Sequence, residues 1–234
     1  MHTEHKTTAD VILPESPACP LNVVLGGTPL LGRLTGIGRY TYELARALVA
    51  SQIVDDLKLW GDLSFLDAGM LKRGDPTSEG PAGLADKKNR GRSGSLAVSA
   101  RAFASRSYYA SMVYQYVSGA MAERRLRPLA DSHLYHSPNF IMPHFDGARV
   151  MTIHDLSTIR FPQFHRKQMV VLCEGGIHSA IEGKAHVITD SFHVRDELVD
   201  DFGVKSSRIS TVHLAPDPRC RPRHESECRH ALDA

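Results

Sequence analysis

The stretch "AHVITDSFHVRDELVDDFGVKSSRISTVHLAP", residues 185–216, decides the fold class. Its first part, "AHVITDS", is a short β-branched run that ends in polar residues and predicts a strand. "HVRDELVDDFG" predicts a helix, which Gly203 closes at its C-terminal end. "SRISTVHLAP" then predicts a second strand. A strand, a helix and a strand in this order are typical of a parallel sheet covered by helices.

The same alternation extends through most of the chain. Further strands are predicted at "LNVVLGG" from Leu21, at "DLKLWG", at "HLYHSP" and at "ARVMTIHDL". Helices are predicted at "RYTYELARALVAS", at "SRSYYASMVYQYVSGAMAERRL" and over residues 166–182. The fold class is therefore α/β, with a Rossmann-like, mostly parallel sheet and helices on both faces.

Two of these helices have a predicted core-facing side. In the first, the helical spacing places four residues on one stripe: Tyr40, Leu44, Ala47 and Leu48. In the second, "SRSYYASMVYQYVSGAMAERRL", we expect the Tyr and Met residues to cover the sheet.

The chain is expected to contain one domain with an insertion, preceded by a leader and followed by a tail. Residues 1–20 form a flexible polar leader, residues 21–222 form the domain, and residues 223–234 form the tail. Within the domain, residues 72–106 are predicted to be a flexible basic insertion. They are rich in Gly, Ser, Pro and charge, and they offer few apolar side chains for packing.

The overall composition narrows the class of protein. Of 234 residues, 42% are hydrophobic and 23% are charged, which allows a buried core, and the net charge of +2 gives no argument for nucleic-acid binding. The four cysteines lack CxxC or zinc-finger spacing, which favours reduced thiols. We find no signal-peptide pattern and no apolar run of about 20 residues, so we expect a cytoplasmic protein, soluble or peripheral to the inner face of the membrane.

The interval between Asp86 and Glu123 contains no acidic residue. Its basic residues are Lys87, Lys88, Arg90, Arg92, Arg101 and Arg106. Such a run forms either a solvated loop or a contact with anionic lipid headgroups or phosphorylated substrates. The sequence leaves both interpretations open.

Polar or glycine-rich residues follow several predicted strands, where parallel α/β sheets bind their ligands. They are found in residues 26–39, in residues 136–139, which end at Asn139, in the pair His154 and Asp155, and in the pair Asp190 and Ser191. We therefore expect these segments to meet at one edge of the sheet.

Gly36 and Gly38 lie where a helix begins, in "TGIGRYTYEL". Free backbone N–H groups and the helix dipole favour an anion there, and Arg39 can add a charge-assisted contact. The dinucleotide fingerprint GxGxxG is absent, because Tyr40 and Thr41 follow Gly38. The residues alone are consistent with a phosphate-binding loop and equally with a plain turn.

His154 is predicted to project from the end of the strand "ARVMTI" beside Asp155. The imidazole can donate a hydrogen bond to a sugar hydroxyl or a phosphate oxygen, with Asp155 fixing its orientation. The alternative is a histidine that caps the next loop. A metal site of His133, His136 and His144 is disfavoured, since their spacing supplies no carboxylate partner, and no metal or cofactor is expected.

Four stretches occur in an order that resembles the retaining glycosyltransferases of family 4, which have the GT-B fold. They are "TGIGRYTYELARAL", "HSPNFIMP", "VMTIHDLSTIRFPQFH" and "HVITDSFHVRDELVDDFGVKSSRISTVHLAPD". The chain is most similar to the bacterial mannosyltransferase-like group that builds lipopolysaccharide or exopolysaccharide. The resemblance covers about residues 21–222 and implies the N-terminal, acceptor-side half of a GT-B fold.

The resemblance also implies roles for individual residues. Gly36, Gly38 and Arg39 match the loop that approaches the donor diphosphate and the acceptor cleft, and His154 matches the histidine that reaches the donor sugar. Ser191 and Arg195 match a serine and an arginine of the family's "SxFSR" stretch, although Phe192, His193 and Val194 depart from the usual order between them.

In that family a C-terminal domain holds the nucleotide sugar and carries a Glu-x7-Glu motif. Glu174 and Glu182 have that spacing, but they lie on a helix of the wrong domain and are predicted to face solvent. The implied partners are a nucleotide-sugar donor, held with a C-terminal domain or a partner chain, and a glycan or lipid-linked acceptor. The chain alone is therefore expected to be inactive.

The residues are also consistent with two other functions. The chain can be a non-catalytic, acceptor-binding or membrane-recruiting subunit, for which the basic insertion is the supporting feature. A nicotinamide-dependent oxidoreductase matches the strand–helix alternation only, because the glycine fingerprint and its acidic residue about 20 positions later are missing.

Overall fold

The computed structural model describes residues 20–31, 34–61, 63–72, 108–216 and 220. The predicted leader before Pro20, the insertion after Lys72 and the tail at 223–234 lie outside the described residues.

The described residues form an alternating α/β domain. Its strands are β1 (Leu21–Gly26), β2 (Val54–Gly61), β3 (Ser64–Leu66), β4 (Leu134–Ser137), β5 (Arg149–Ile153), β6 (His186–Thr189) and β7 (Ile209–Thr211). Its α-helices are α1 (Gly36–Ala50), α2 (Tyr108–Leu126), the single turn α3 (Ser157–Arg160), α4 (Lys167–Glu182) and α5 (Phe192–Phe202).

The strands make one sheet of seven in the order β3-β2-β1-β4-β5-β6-β7. Every pair is parallel except β2 with β3. This confirms the predicted Rossmann-like, mostly parallel sheet. The antiparallel strand β3 was not predicted, because three residues are too few to show a period of two.

Two hydrophobic clusters show that helices cover both faces of the sheet. Leu25 and Leu59 pack with Tyr42 and Ala45 of α1. Val24, the neighbour of Leu25, packs instead in the cluster that contains Ala122 and Leu126 of α2, with Trp60, Tyr135 and Phe145. Adjacent residues of a strand point to opposite faces, so α1 and α2 lie on opposite sides.

A third cluster extends the α2 side of the sheet toward β7. Met151, Ile153 and Val187 pack there with Ile177 of α4 and Leu198 of α5. Met151 is on the same face as Tyr135, since Tyr135 pairs with Arg149 two residues earlier. The half-buried Met142 packs against both this cluster and that of α2.

The predicted core-facing side of α1 was wrong. Its buried residues are Gly38, Thr41, Tyr42 and Ala45, whereas Ala47 is exposed and the other predicted residues are half-buried. Thr41 tolerates burial because its hydroxyl donates to the Ile37 carbonyl oxygen at 2.8 Å.

The expectation that aromatic residues of α2 cover the sheet was also wrong for Tyr116, which is exposed. The small Ala122 and the Leu126 side chain pack there instead. The solvent-facing positions of Glu174 and Glu182 are confirmed.

Candidate active site at the carboxyl edge of the sheet

Parallel pairing brings the carboxyl ends of four strands to one edge of the sheet. There β5 ends at Ile153 and continues into His154, and β6 ends at Thr189 and continues into Asp190. β4 ends at Ser137, and β1 ends at Gly26. This edge is the one that binds ligands in open α/β sheets.

His154 is held on both sides of its ring. Its Nδ1–H donates to Asp190 Oδ2 at 2.6 Å, and its Nε2 lies 3.2 Å from the carbonyl oxygen of Pro138. The two side chains are only 14% and 17% exposed, so water competes little for the hydrogen bond. Both ring nitrogens therefore face acceptors of the protein, and these contacts fix the orientation of the ring.

The predicted orienting role of Asp155 was wrong in its geometry. Asp155 Oδ1 accepts a hydrogen bond from the Ser157 backbone N–H at 2.8 Å, which begins the turn α3. Neither ring nitrogen of His154 has Asp155 as its partner. Asp190, rather than Asp155, orients the His154 ring.

Tyr40 of α1 completes the packing of His154. The two rings meet edge to face, with centroids 4.7 Å apart and an interplanar angle of 86°. The Tyr40 hydroxyl lies 3.2 Å from Thr152 Oγ1, which in turn lies 2.9 Å from His136 Nε2. Side chains of α1, β4, β5 and the end of β6 therefore form one contiguous network.

Two residues of this network, Tyr40 and His136, have shifted pKa values. Burial raises the pKa of Tyr40 above its usual value, and the negative charge of Asp190 adds to this effect against the hydrogen bond with Thr152. Burial lowers the pKa of His136 from 6.5 to about 4. Tyr40 and His136 are consequently neutral near pH 7.

Sequence reasoning missed Tyr40, Thr152 and the partnership of Asp190 with His154. Tyr40 was counted as a core residue, and Asp190 was placed at the edge without a role. The sequence does place His154 directly after β5 and Asp190 directly after β6. It does not indicate whether Asp155 or Asp190 contacts the histidine.

The two glycines at the start of α1 differ in their surroundings. A Cβ on Gly38 would lie 2.9 Å from the Pro29 carbonyl oxygen, whereas a Cβ on Gly36 would meet none of the described residues within 4 Å. Close packing therefore explains Gly38, and Gly36 leaves the first turn of the helix open to approach. Thr35 caps this helix, since its Oγ1 accepts from the Gly38 N–H at 3.3 Å.

Arg39 and Arg195 are paired with acidic neighbours on their own helices. Arg39 Nη2 lies 2.9 Å from Glu43 Oε1, and Arg195 Nη1 lies 3.9 Å from Asp196 Oδ1. The hydroxyl of Ser191 accepts from the Val194 N–H at 3.2 Å and so caps α5. The structure does not bring Ser191 or Arg195 into contact with His154.

Asn139 stabilises the loop after β4 and borders a cavity. Its Oδ1 accepts from the Ile141 N–H at 3.1 Å. The cavity has a volume of about 190 Å³ and is mostly apolar. It lies between α2 and the sheet edge, and its lining includes Thr28, Trp60, Gly119, Asn139, Met142 and Leu172.

Three histidines that the sequence analysis considered as metal ligands have separate partners. His133 pairs with Asp56, His136 with Thr152, and His144 lies 3.8 Å from Asp146. Among the described residues, no group of three potential metal ligands comes together and no helix is long and apolar enough to cross a bilayer. Cys173, which is buried, and Cys220, which is exposed, are unpaired.

Comparison with known proteins gives a likeness over most of the chain. An O-antigen chain mannosyltransferase B of Escherichia coli is 29% identical to this chain over 208 residues. The match covers 89% of this chain and 51% of that protein. The chain thus spans about half the length of the curated relative it matches. No protein-family model matches the sequence.

Proposed function

We propose that this chain is the N-terminal, acceptor-side domain of a retaining glycosyltransferase of family 4 with the GT-B fold. In this proposal it serves the transfer of a mannose-like hexose from a nucleotide sugar to a glycan or lipid-linked acceptor in cell-surface polysaccharide synthesis. The likeness over 208 residues to a protein named as a mannosyltransferase is the observation that carries the proposal.

The carboxyl edge supplies groups suited to this chemistry. In the transfer, the bond from the anomeric carbon to the nucleoside diphosphate breaks and a bond to an acceptor hydroxyl oxygen forms. In the proposal, His154, oriented by Asp190 and Tyr40, donates from Nε2 to the donor sugar in place of its 3.2 Å contact with the Pro138 carbonyl oxygen. A ring that is already held in its orientation lowers the barrier, because little rearrangement is needed when charge develops.

The start of α1 is suited to the diphosphate. The first N–H groups of a helix have no intrahelical partner, and they attract anions. Gly36 leaves this site open, and Arg39 lies beside it at 28% side-chain exposure. In the proposal, a second domain or a partner chain binds the nucleotide, and Asn139 with the adjacent cavity faces the acceptor.

The test is acceptor binding followed by NMR. We expect a mannose-terminated oligosaccharide to shift the backbone amide signals of Gly36, Asn139 and His154 in the purified chain. His154→Ala should weaken that binding, because in the proposal the ring lies where the donor sugar and the acceptor meet. His186→Ala is the matched control, because His186 begins β6 at the opposite edge of the sheet and contacts Ser210.

Binding of a nicotinamide dinucleotide at this edge of the sheet, without binding of glycans or nucleotide sugars, would contradict the proposal. Transfer activity is a second readout. We expect the purified 234-residue chain alone to turn over a nucleotide sugar far more slowly than the roughly 1–1000 s⁻¹ typical of enzymes. A rate within that range would overturn the expectation that the donor site lies elsewhere.

A further inference from the structure

The outward side of α2 carries an unexpected apolar stripe. Val113, Tyr116 and Val117 are 63%, 81% and 44% exposed. At 3.6 residues per turn, these three residues and the exposed Ala120 fall within about 100° of the helix circumference. Ala122 and Leu126, which pack on the sheet, lie on the opposite side. The helix therefore has one apolar side in the core and another in solvent.

A second exposed apolar group lies on a neighbouring element of the same face. Phe164, just before α4, is 81% exposed, and Val171 of α4 is 69% exposed. The Phe161 ring lies beside that of Phe164, with centroids 6.5 Å apart. The two elements are adjacent, since Gly119 of α2 and Leu172 of α4 line the same cavity.

Exposed basic residues adjoin these apolar groups along the chain. The exposed cations are Arg124, Arg125, Arg127, Arg166 and Lys167. Within the described part of the chain, none of the five forms an ion pair, whereas Arg160 nearby is held by Glu197 and Asp201. The exposed acids on α2 and α4 are Glu123, Glu174 and Glu182, of which Glu182 lies at the far end of α4. Positive charge therefore flanks the apolar residues at the C-terminal end of α2 and at the N-terminal end of α4.

We propose that this surface, formed by Val113, Tyr116, Val117, Phe161, Phe164 and Val171, docks the protein on an anionic lipid bilayer. Tyr and Phe side chains with nearby Arg and Lys match the interface between lipid tails and negative headgroups. A second protein copy is a poorer partner, because its like charges would face the same cations. The inference goes beyond the proposed transferase role, since docking is measured without donor or acceptor.

The experiment is sedimentation of the purified chain with vesicles. We use vesicles of phosphatidylglycerol with phosphatidylcholine, and vesicles of phosphatidylcholine alone. We expect binding to the anionic vesicles that weakens as salt concentration rises. Tyr116→Ser with Phe164→Ser should weaken it by about tenfold or more, because apolar area no longer enters the interface. Arg124→Gln with Arg125→Gln should weaken it and reduce its salt dependence.

The matched control is Val49→Ser with Val212→Ser, which removes two exposed apolar residues outside this surface. These substitutions should leave vesicle binding unchanged, and circular dichroism should show that every variant is folded. Equal binding to neutral vesicles, or equal loss in the control, would overturn the proposal. A wild-type dimer that Tyr116→Ser dissociates, without any vesicle binding, would assign the surface to self-association instead.

Discussion

His154 shows how a single side chain acquires its orientation from three segments that are far apart in the chain. Asp190 binds one ring nitrogen, the Pro138 carbonyl oxygen lies beside the other, and Tyr40 packs edge-on. Hydrogen bonds to a charged group contribute about 1.5–3 kcal/mol when shielded from water. Asp190 is therefore the residue on which the geometry of the candidate site most depends.

Replacing Asp190 should release His154. In Asp190→Asn the acceptor is no longer charged, so we expect the His154 Nδ1–H to exchange with water about tenfold faster and unfolding to require about 1–2 kcal/mol less. Nitrogen-15 NMR of the histidine rings measures the first effect, and urea denaturation measures the second. Unchanged His154 ring signals would show that Asp190 does not hold the ring in solution.

Asp155→Asn is the control for that variant, because it removes a carboxylate one residue from His154. The Asn Oδ1 can still accept from the Ser157 N–H, so the turn α3 keeps its cap. We expect His154 ring signals like those of the wild type.

His136 should make stability depend on pH. Its pKa falls from 6.5 to about 4 on burial, so between these values the unfolded chain binds more protons than the folded one. His136 therefore does not lower the free energy of unfolding above about pH 6.5. Toward pH 4 it lowers this free energy by up to about 3 kcal/mol. Urea denaturation from pH 4 to 7 should show a shallower slope for His136→Phe than for the wild type. Parallel slopes would contradict the assignment to His136.

At the scale of elements, Arg208 secures the C-terminal end of α4. Its guanidinium donates to the carbonyl oxygens of Ile181 and Ala180 at 3.2 Å and of Ala185 at 2.7 Å. Ala180 and Ile181 lie in the last turn of α4, where the helix dipole favours a cation. Their carbonyl oxygens also accept from the backbone N–H groups of Ala185 and Lys184. A residue before β7 thus connects α4 to the chain that enters β6.

Removing that guanidinium should destabilise the domain. We expect Arg208→Ala to lower the free energy of unfolding by about 2–3 kcal/mol, since three partly buried hydrogen bonds from the guanidinium are lost. Arg208→Lys should recover only part of this, because an ammonium cannot reproduce the planar fork. Thermal and urea denaturation measure both; equal stability of the alanine variant and the wild type would refute this capping role.

Gly203 ends α5 with a backbone that other residues adopt poorly. Its φ is +63°, and its N–H and that of Val204 donate to Val199 and Leu198. Gly203→Ala should cost about 1 kcal/mol, because the added Cβ is strained in the left-handed region. Gly175→Ala is the comparison, since Gly175 is helical and exposed in α4; it should gain up to about 1 kcal/mol. Urea denaturation should show these opposite signs, and a loss in both variants would contradict the explanation.

At the scale of the whole molecule, the continuous sheet and the shared packing of Met142 should make the described domain unfold as one unit. The single tryptophan, Trp60, is buried against α2 and reports on one cluster, while circular dichroism reports on all the helices. We expect the two urea transitions to coincide. An earlier change in Trp60 fluorescence would show that the α2 side opens independently.

The sequence predicted the positions of strands and helices well, but it predicted poorly which side of a helix is buried. Short apolar runs bounded by polar residues predicted every parallel strand, and the glycine in "DDFG" predicted the end of α5. The buried side of α1 was misplaced, since apolar and small residues occur around much of that helix and only the packing partners select among them. Tyr116 was likewise assigned to the core by its type, although the space over the sheet is filled by Ala122 and Leu126.

By itself, the sequence determined the α/β class, the order of strands and helices, and the segments that meet at the carboxyl edge. These follow from local patterns, because period, capping and turn residues act over a few positions. Only the tertiary structure decided that His154 pairs with Asp190, 36 residues away, and that Tyr40 reaches Thr152, 112 residues away. Such contacts depend on sheet order and helix rotation, which the whole core fixes together and no single segment specifies.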